Sequence, residues 1–488
     1  MPRDGVWGWL GPLLVAAFAG ILRFHRLGVP PSKVFDEVYY AEQARDLLRY
    51  GVEFNQADSA PEFVVHPPVG KWVIAVGEWL LGDDAAGWRF SVALLGTLSV
   101  LMLARIARRL FRSTLLGCAA GLLLAVDGMH FVHSRTALLD LILMVFALAA
   151  FGCLLVDRDR DGDRVRERLR RWRFPGHGGA GGSLGPGFGV RPWRLTAGVF
   201  LGLACATKWS GLFFLAVFGL LTVLWDVGAR RALGVRRPWA GALLRDAPAA
   251  FAAMVLVALV VYVASWAGWF AAGPDTAWGR DWAATRPGPP LVPDALRGLW
   301  HYHAEMRQFH LGLDTFHPYK SNPWGWLVLS RPVSFFYEGS ARGEAGCDVS
   351  QCSQAVSAIG TPVLWFGALA ALAVVLFRWA AMRDWRAGAV LAGVAAGYLP
   401  WFLFQHRTIY SFYAVAFVPW LVLAVTLVLG MVLGTESASP RRRAVGAGVV
   451  GGYVVLAVIN FAWLYPVLSA ELISYTEWAR RMLLPSWI

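Results

Sequence analysis

Asp36 and Glu37 stand in Phe35-Asp36-Glu37-Val38-Tyr39-Tyr40, at the head of a helical pattern with Tyr40, Ala44, Leu47 and Leu48 on one face. Acidic residues at a helix start satisfy free backbone amides, and for an isolated pair that is the commoner role. A helix start is equally a rigid place from which a carboxylate takes a proton from an incoming hydroxyl. His66-Pro67-Pro68-Val69-Gly70-Lys71-Trp72 follows in the same polar segment. Its prolines fix the chain ahead of an amphipathic helix, which taken alone is an interfacial docking turn.

Cations in apolar surroundings are more telling, because a charge at mid-membrane costs about 2.5–3.5 kcal/mol on insertion scales. Arg89 opens an apolar run, where snorkelling to the interface explains it as well as function does. Lys208 breaks a run between Leu201–Ala206 and Leu212–Leu221, which favours function; its natural counterion is a lipid-borne phosphate. Asp127-Gly128 has the chemistry of a turn. Arg135 and Asp140 beyond it fit a structural ion pair and ligand contacts equally. A second polar segment carries His301, His303 and His310, then His317-Pro318-Tyr319-Lys320-Ser321-Asn322-Pro323-Trp324-Gly325-Trp326. The histidine spacing matches no structural zinc pattern and lacks the His-Glu-x-x-His order of a metalloprotease, so no metal is expected. The aromatics suit a membrane-interface belt or a sugar-stacking surface.

The elements that must hold these residues are membrane helices. Of 488 residues, 57% are hydrophobic and only 16% charged, with a mean hydropathy of +0.50, where a soluble domain would carry about 25% charged residues. Runs long enough to cross a bilayer of about 30 Å recur along the chain. They fit Val6–Leu22, Trp88–Ala107, Thr114–Gly128, Ala137–Val156, Leu195–Ala206 and Trp209–Trp225, then Ala249–Trp269, Pro362–Phe377, Ala387–Phe404, Ile409–Leu433 and Val445–Leu468. The pattern predicts an all-α polytopic membrane protein of about eleven spans. The first run lacks a basic n-region and a cleavage site and is expected to stay as a helix.

The net charge of +13 is carried mainly by Arg in short blocks between spans, which argues against nucleic acid. Under this count every basic block falls on one side, so the N-terminus is expected in the cytoplasm and the C-terminus outside. Two large loops, 23–87 and 271–361, then face outward with the Asp, Glu, His, Trp and Tyr, and the chemistry is expected there. The loop 157–194 is cytoplasmic, Arg- and Gly-rich, and its Gly176–Gly189 stretch lacks the ending of a phosphate loop. One membrane domain, 1–470, and an external tail, 471–488, are expected. Cys347 and Cys352 lie together in the second outer loop, where a disulfide would persist, while Cys118, Cys153 and Cys205 sit in apolar runs as packing residues.

Taken in order, these pieces resemble the protein O-mannosyltransferase family in its bacterial form. The resemblance rests on Asp36-Glu37, His66 through Lys71, Arg89-Phe90-Ser91 to Gly96, and Ser134-Arg135 through Asp140. It continues with Lys208-Trp209-Ser210-Gly211, His317 through Trp326, and Gln405-His406-Arg407 to Tyr413. Each piece is weak alone, and the ordered set covers nearly the whole chain. It implies a GT-C type fold, a polyprenyl-phosphate mannose donor and Ser/Thr hydroxyls of polypeptides as acceptors at the outer face of a bacterial plasma membrane. Membrane lipids and the secretion machinery are the implied partners, and no cofactor is implied. Asp36 takes the family's acidic catalytic position, with Glu37 beside it. Arg89, Lys208 and Arg407 would hold the donor phosphate. His66, Lys71, Asp127, Arg135, Asp140 and Tyr413 complete the implied donor site, and His317, Tyr319, Ser321 and Trp324 the acceptor side. The second loop is too short for the β-trefoil domain of eukaryotic members. Transfer is expected to be a single inverting displacement with Asp36 as base. The nearest competitor is an arabinosyl- or aminoarabinosyltransferase acting on a glycan or lipid. A transporter lined by Lys208, Arg89 and Asp140 would need paired broken helices in two halves, a symmetry absent from the sequence. A non-catalytic assembly factor is the third reading, for which Asp36→Asn would leave glycosylation unchanged.

Overall fold

The computed structural model describes residues 5–173, 183–232, 234–434 and 437–488, leaving aside the side chains of 161–166 and 168–173. Of the Arg/Gly-rich loop expected at 157–194, residues 157–173 instead continue a helix, and 174–182, with the start of the glycine stretch, lie outside the described residues.

The chain is a helical bundle. α1 (Trp7–Phe24) leads into loop one, which carries α2 (Glu37–Tyr50), the short pair β1 (Phe54–Asn55) and β2 (Ala60–Pro61), and α3 (Val69–Leu81). Then come α4 (Ala85–Phe111), α5 (Thr114–Ala125), α6 (Gly128–His133), α7 (Leu139–Arg173), α8 (Pro192–Cys205), α9 (Gly211–Ala232) and α10 (Pro238–Arg245). A helix from Ala247 to Ser265, α11, runs through a π turn at Ala252–Leu256, and α12 (Ala267–Ala271) follows it. Loop two holds α13 (Asp294–Gly312) and a hairpin of β3 (Val333–Ala341) and β4 (Gln351–Ala358). α14 (Pro362–Met382), α15 (Trp385–Tyr398), α16 (Val418–Leu433) and α17 (Pro440–Leu468) complete the bundle, and β5 (Ile473–Ser474) and α18 (Tyr475–Arg481) close the chain.

Each of the eleven predicted runs appears as a helix. Among the described residues nine helical stretches are long and apolar enough to cross a membrane, α5 and α8 being shorter. Burial sorts them. The apolar windows of α7 and of Ser411–Leu433 are 78% buried within the protein, whereas those of α11 and α17 are 22% buried. A helix apolar all round and buried on most sides is a core helix, and one apolar yet exposed must meet lipid. α7 and α16 are therefore the axis of the bundle.

The long run 195–225 is divided, as its Thr207-Lys208-Trp209-Ser210 interruption predicts. Lys208 N–H still reaches the Ala204 carbonyl, Gly211 N–H turns back to Lys208, and Val69 N–H of loop one docks on the Ala206 carbonyl at 3.0 Å. Near the other end of α8, Arg191 and Arg194 bind Asp157 of α7 and Asp226 of α9 at 2.8–3.1 Å, joining three helices through buried charge.

Loop two is more ordered than the all-α expectation. β3 and β4 pair antiparallel with a bulge between Ser334 and Phe336, and β5 adds to β4, giving the order β3-β4-β5. A disulfide joins Cys347 to Cys352 near the hairpin tip. The end of the chain folds back onto this loop: Trp487 donates its indole N–H to the Leu329 carbonyl at 2.6 Å, and Ser486 its hydroxyl to Ser330. A separate cluster of Val52, Val64, Trp266, Leu299, Tyr302 and Met306 packs α13 against loop one.

Candidate active site

Asp36 is the N-cap residue, immediately before α2, and its side chain makes no capping bond. Among the described residues its carboxylate accepts no hydrogen bond at all. The capping duty falls to Glu37, which takes the Val34 N–H at 2.9 Å. Phe35, just before, has a φ of +48°, a strained conformation for a bulky residue. Aromatic rings hold it there: Phe335 of β3 stacks at 5.0 Å, Phe412 and Tyr410 stand edge-on at 5.5 and 5.9 Å, and His317 at 6.3 Å. The cage fixes the direction in which the chain enters α2, and so where the Asp36 carboxylate points. Burial pushes that carboxyl up to about 6; the nearby Lys208 ammonium opposes the rise and Asp140 adds to it.

Lys208 reaches Asp140 at 2.9 and 3.1 Å and lies 4.2 Å from the centre of the Tyr413 ring. Asp140 thus pairs with Lys208, not with Arg135, five residues before it in sequence. Tyr410 is 5.9 Å from Tyr413, and Tyr40 of α2 is 6.1 Å from His66. Burial holds His66 well below its ordinary pKa, and the cations Lys208, Lys71 and Arg407, with His310, act in the same direction. Asp36, His66, Asp140, Lys208, Arg407 and Tyr413 therefore come together from five separate stretches of sequence, with Tyr40, Tyr410 and His310 among them.

Several residues expected at the donor site are otherwise engaged. Arg89 has five N–H donors, and all are used: two on Glu37 at 2.7 and 2.8 Å, the others on the carbonyls of Leu27, Pro30 and Ser32. Glu37 in turn accepts Ala137 N–H at 2.8 Å. This fully buried pair ties α2 to α4 and α7, so neither member is free for phosphate or for proton transfer. Arg135 spends its guanidinium on the carbonyls of Leu22, Arg23, His25 and Arg26. Asp127 caps α6 and takes the Trp365 indole at 2.7 Å. Lys71 is fully buried against Glu53 and donates to the His66 carbonyl at 2.9 Å, which fixes the loop and not a ligand. On the acceptor side His317 and Tyr319 lie against each other beside Phe35 and Tyr410, and Trp324 is exposed. Ser321 is buried and accepts the Trp326 indole at 3.0 Å, so it faces inward, away from any acceptor.

Arg407 differs from these cations. It forms no ion pair among the described residues, its Nε is buried without a partner, and its one side-chain bond goes to His310 Nδ1 at 3.3 Å. Links to loop two position it: Thr408 N–H donates to the Leu313 carbonyl, the Lys320 ammonium to that of His406, and the Asn322 side-chain amide to the Gln405 side chain. Among the described residues no group of three or more His, Cys, Asp or Glu is arranged to hold a metal ion.

A bundle that closes two long loops over a carboxylate and buried cations has the architecture of GT-C membrane glycosyltransferases. A Saccharomyces cerevisiae protein O-mannosyltransferase complex bound to its sugar donor superposes with a TM-score of 0.74, at 15% identity, over 99% of this chain and 92% of that one. ArnT of Cupriavidus metallidurans in the apo state gives 0.51 at 18% identity, over 96% and 71%. The fold is GT-C.

A family model described as dolichyl-phosphate-mannose-protein mannosyltransferase matches residues 13–174, and one for the C-terminal four-helix region of protein O-mannosyltransferase matches 295–487. Polyprenol-phosphate-mannose–protein mannosyltransferases of Mycolicibacterium smegmatis and Mycobacterium tuberculosis are 46% and 44% identical over all of this chain and 94% and 93% of their own. That of Corynebacterium glutamicum is 35% identical over 97% and 92%. The chain belongs to the protein O-mannosyltransferase family.

Proposed function

We propose that this protein transfers mannose from a polyprenyl-phosphate donor to Ser or Thr hydroxyls of polypeptides at the outer face of a bacterial plasma membrane. The observation that carries the reading is Asp36, a carboxylate without a hydrogen-bond partner among the described residues, beside Lys208 and, like Arg407, close to Tyr413. The relatives that match over their whole length are named for that donor and for protein acceptors, which supports mannose and protein over arabinose and lipid.

Asp36 accepts the proton of the acceptor hydroxyl as its oxygen bonds to the anomeric carbon and the bond to the phosphate oxygen breaks, inverting the configuration. The negative charge left on the polyprenyl phosphate is met by Arg407, with Lys208 behind it, so no proton need be given to the leaving group. Lys208 acts at a discount because Asp140 already neutralises it. Tyr413, His66 and the aromatic rings beside Phe35 line the sugar. His317, Tyr319 and Trp324 face the acceptor, an extended segment delivered by the secretion machinery.

Membranes from cells making wild-type protein or Asp36→Asn at equal level, given radiolabelled polyprenyl-phosphate mannose and a Thr-rich peptide, test this. Label on the peptide with wild type, reduced at least 100-fold by the substitution, about the lower bound for loss of a general base, is expected. Label that moves to a glycan or lipid and not to peptide would turn the reading to the arabinosyltransferase type.

A further inference from the structure

Arg407 is a donor-only side chain, and among the described residues the sole side chain it bonds is a histidine from a helix outside the bundle. We propose that His310 of α13 is a positioning residue, which turns the Arg407 guanidinium toward the donor phosphate by accepting one of its N–H bonds; this rests on the donor site described under the proposed function.

The bonding of the ring fixes its state. His310 Nε2 stands 2.8 Å from the Val65 carbonyl oxygen, which only accepts, so Nε2 carries the proton. Nδ1 is then the bare nitrogen, and Arg407 Nη2 points at it from 3.3 Å. An imidazolium would present a second donor to the guanidinium and break the contact. Burial, reinforced by Arg407 itself, brings the ring down to about 4, so it stays neutral at any ordinary pH. The ring is boxed by His66 at 5.2 Å and by Trp209 at 5.8 Å, which removes its rotational freedom.

The arrangement spans the site. Val65 precedes His66 in loop one, Trp209 follows Lys208 at the break between α8 and α9, and Arg407 leads into the core segment containing Tyr413. One neutral ring thus sets the spacing of loop one, loop two and the late segment. A carboxylate in its place would neutralise the cation as Asp140 neutralises Lys208, and would lower its attraction for phosphate. A neutral acceptor holds the guanidinium and leaves its full charge for the ligand.

Asparagine and glutamine separate the two nitrogens, since the Asn oxygen falls near Nδ1 and the Gln nitrogen near Nε2. With radiolabelled polyprenyl-phosphate mannose and a Thr-rich peptide, His310→Gln should raise the KM for the lipid donor about tenfold, the scale of one lost bond to a charged group. The KM for the peptide should not move. His310→Asn should recover most of the loss. Adding His310→Gln to Arg407→Met should cost nothing beyond Arg407→Met alone, because the histidine acts through the arginine. Equal effects of Asn and Gln, a shift in peptide KM, or additive losses in the double variant would overturn the positioning role. If instead Arg407→Met leaves donor KM unchanged, the donor site itself is misassigned.

Discussion

At the scale of single residues the site separates charge that builds the fold from charge left over for chemistry. Glu37 and Arg89 are fully engaged with each other and with the backbone, whereas among the described residues the neighbouring Asp36 accepts no hydrogen bond. That vacancy sets a pH dependence. Asp36 is held up to about 6 by burial, so transfer that needs the carboxylate should climb as pH rises through about 6 and be depressed below it. The profile of kcat/KM between pH 4.5 and 8 would reveal this limb, and a profile flat down to pH 4.5 would remove Asp36 as the base. Stability runs the other way. A raised folded-state pKa contributes stability below the unfolded value of 3.8 that is lost as pH rises through about 6. Asp36→Asn should therefore not lower the melting temperature at pH 7.

The residues legible in sequence were those whose burial is costly. Lys208 and Arg89 could be marked as charge in the wrong surroundings, whereas Asp36, Asp140 and Arg407 stood out only by their place in the motifs. What sequence does not carry is the partner. Glu37 meets Arg89 across 52 positions, and Arg135 meets backbone carbonyls, which every residue supplies. Arg89 therefore looked as available for phosphate as Lys208. His310 was visible only as one of several clustered histidines. Its meaning depends on Val65 and Arg407, which arrive from opposite ends of the chain.

Elements place the site by close approach. α3, whose first turn follows the His66 motif, lies so near α4 that a Cβ on Gly77 would collide with the Gly87 carbonyl oxygen, and one on Gly87 with that of Gly82. Backbone obstacles cannot swing aside as side chains do. Gly77→Ala should push α3 outward, cost about 1–3 kcal/mol, and raise donor KM by displacing His66. Thermal unfolding in detergent would measure the first effect. Gly219→Ala is the control, since a Cβ there meets open space and should not destabilise. Helix existence was well read from apolar runs, down to the break at Lys208. The β3–β4 hairpin was not, because its strands lie in a long polar loop and β3 includes small residues at Gly339, Ser340 and Ala341 that carry little alternation.

For the whole molecule, orientation decides where the chemistry happens. The Arg blocks between the predicted spans all fall on one side of the span count, the side that the positive-inside tendency expects in the cytoplasm. In a background lacking Cys118, Cys153 and Cys205, a cysteine at exposed Trp324 should react in intact cells with a membrane-impermeant maleimide. One at exposed Arg236 should react only after permeabilisation. The reverse pattern would put the site in the cytoplasm and exclude secreted acceptors.

The fold-back of the chain end onto loop two has a consequence in time. Leu329 and Ser330 lie just after the segment that braces Arg407, yet Trp487, which binds Leu329, is made 158 residues later. A ribosome delivers them in that order, so through the insertion of α14 to α17 the loop waits without this brace. Maturation of the candidate site is thereby coupled to completed insertion of α17. A nascent molecule stalled before that step would have its carboxylate and cations in hand but not yet a finished site.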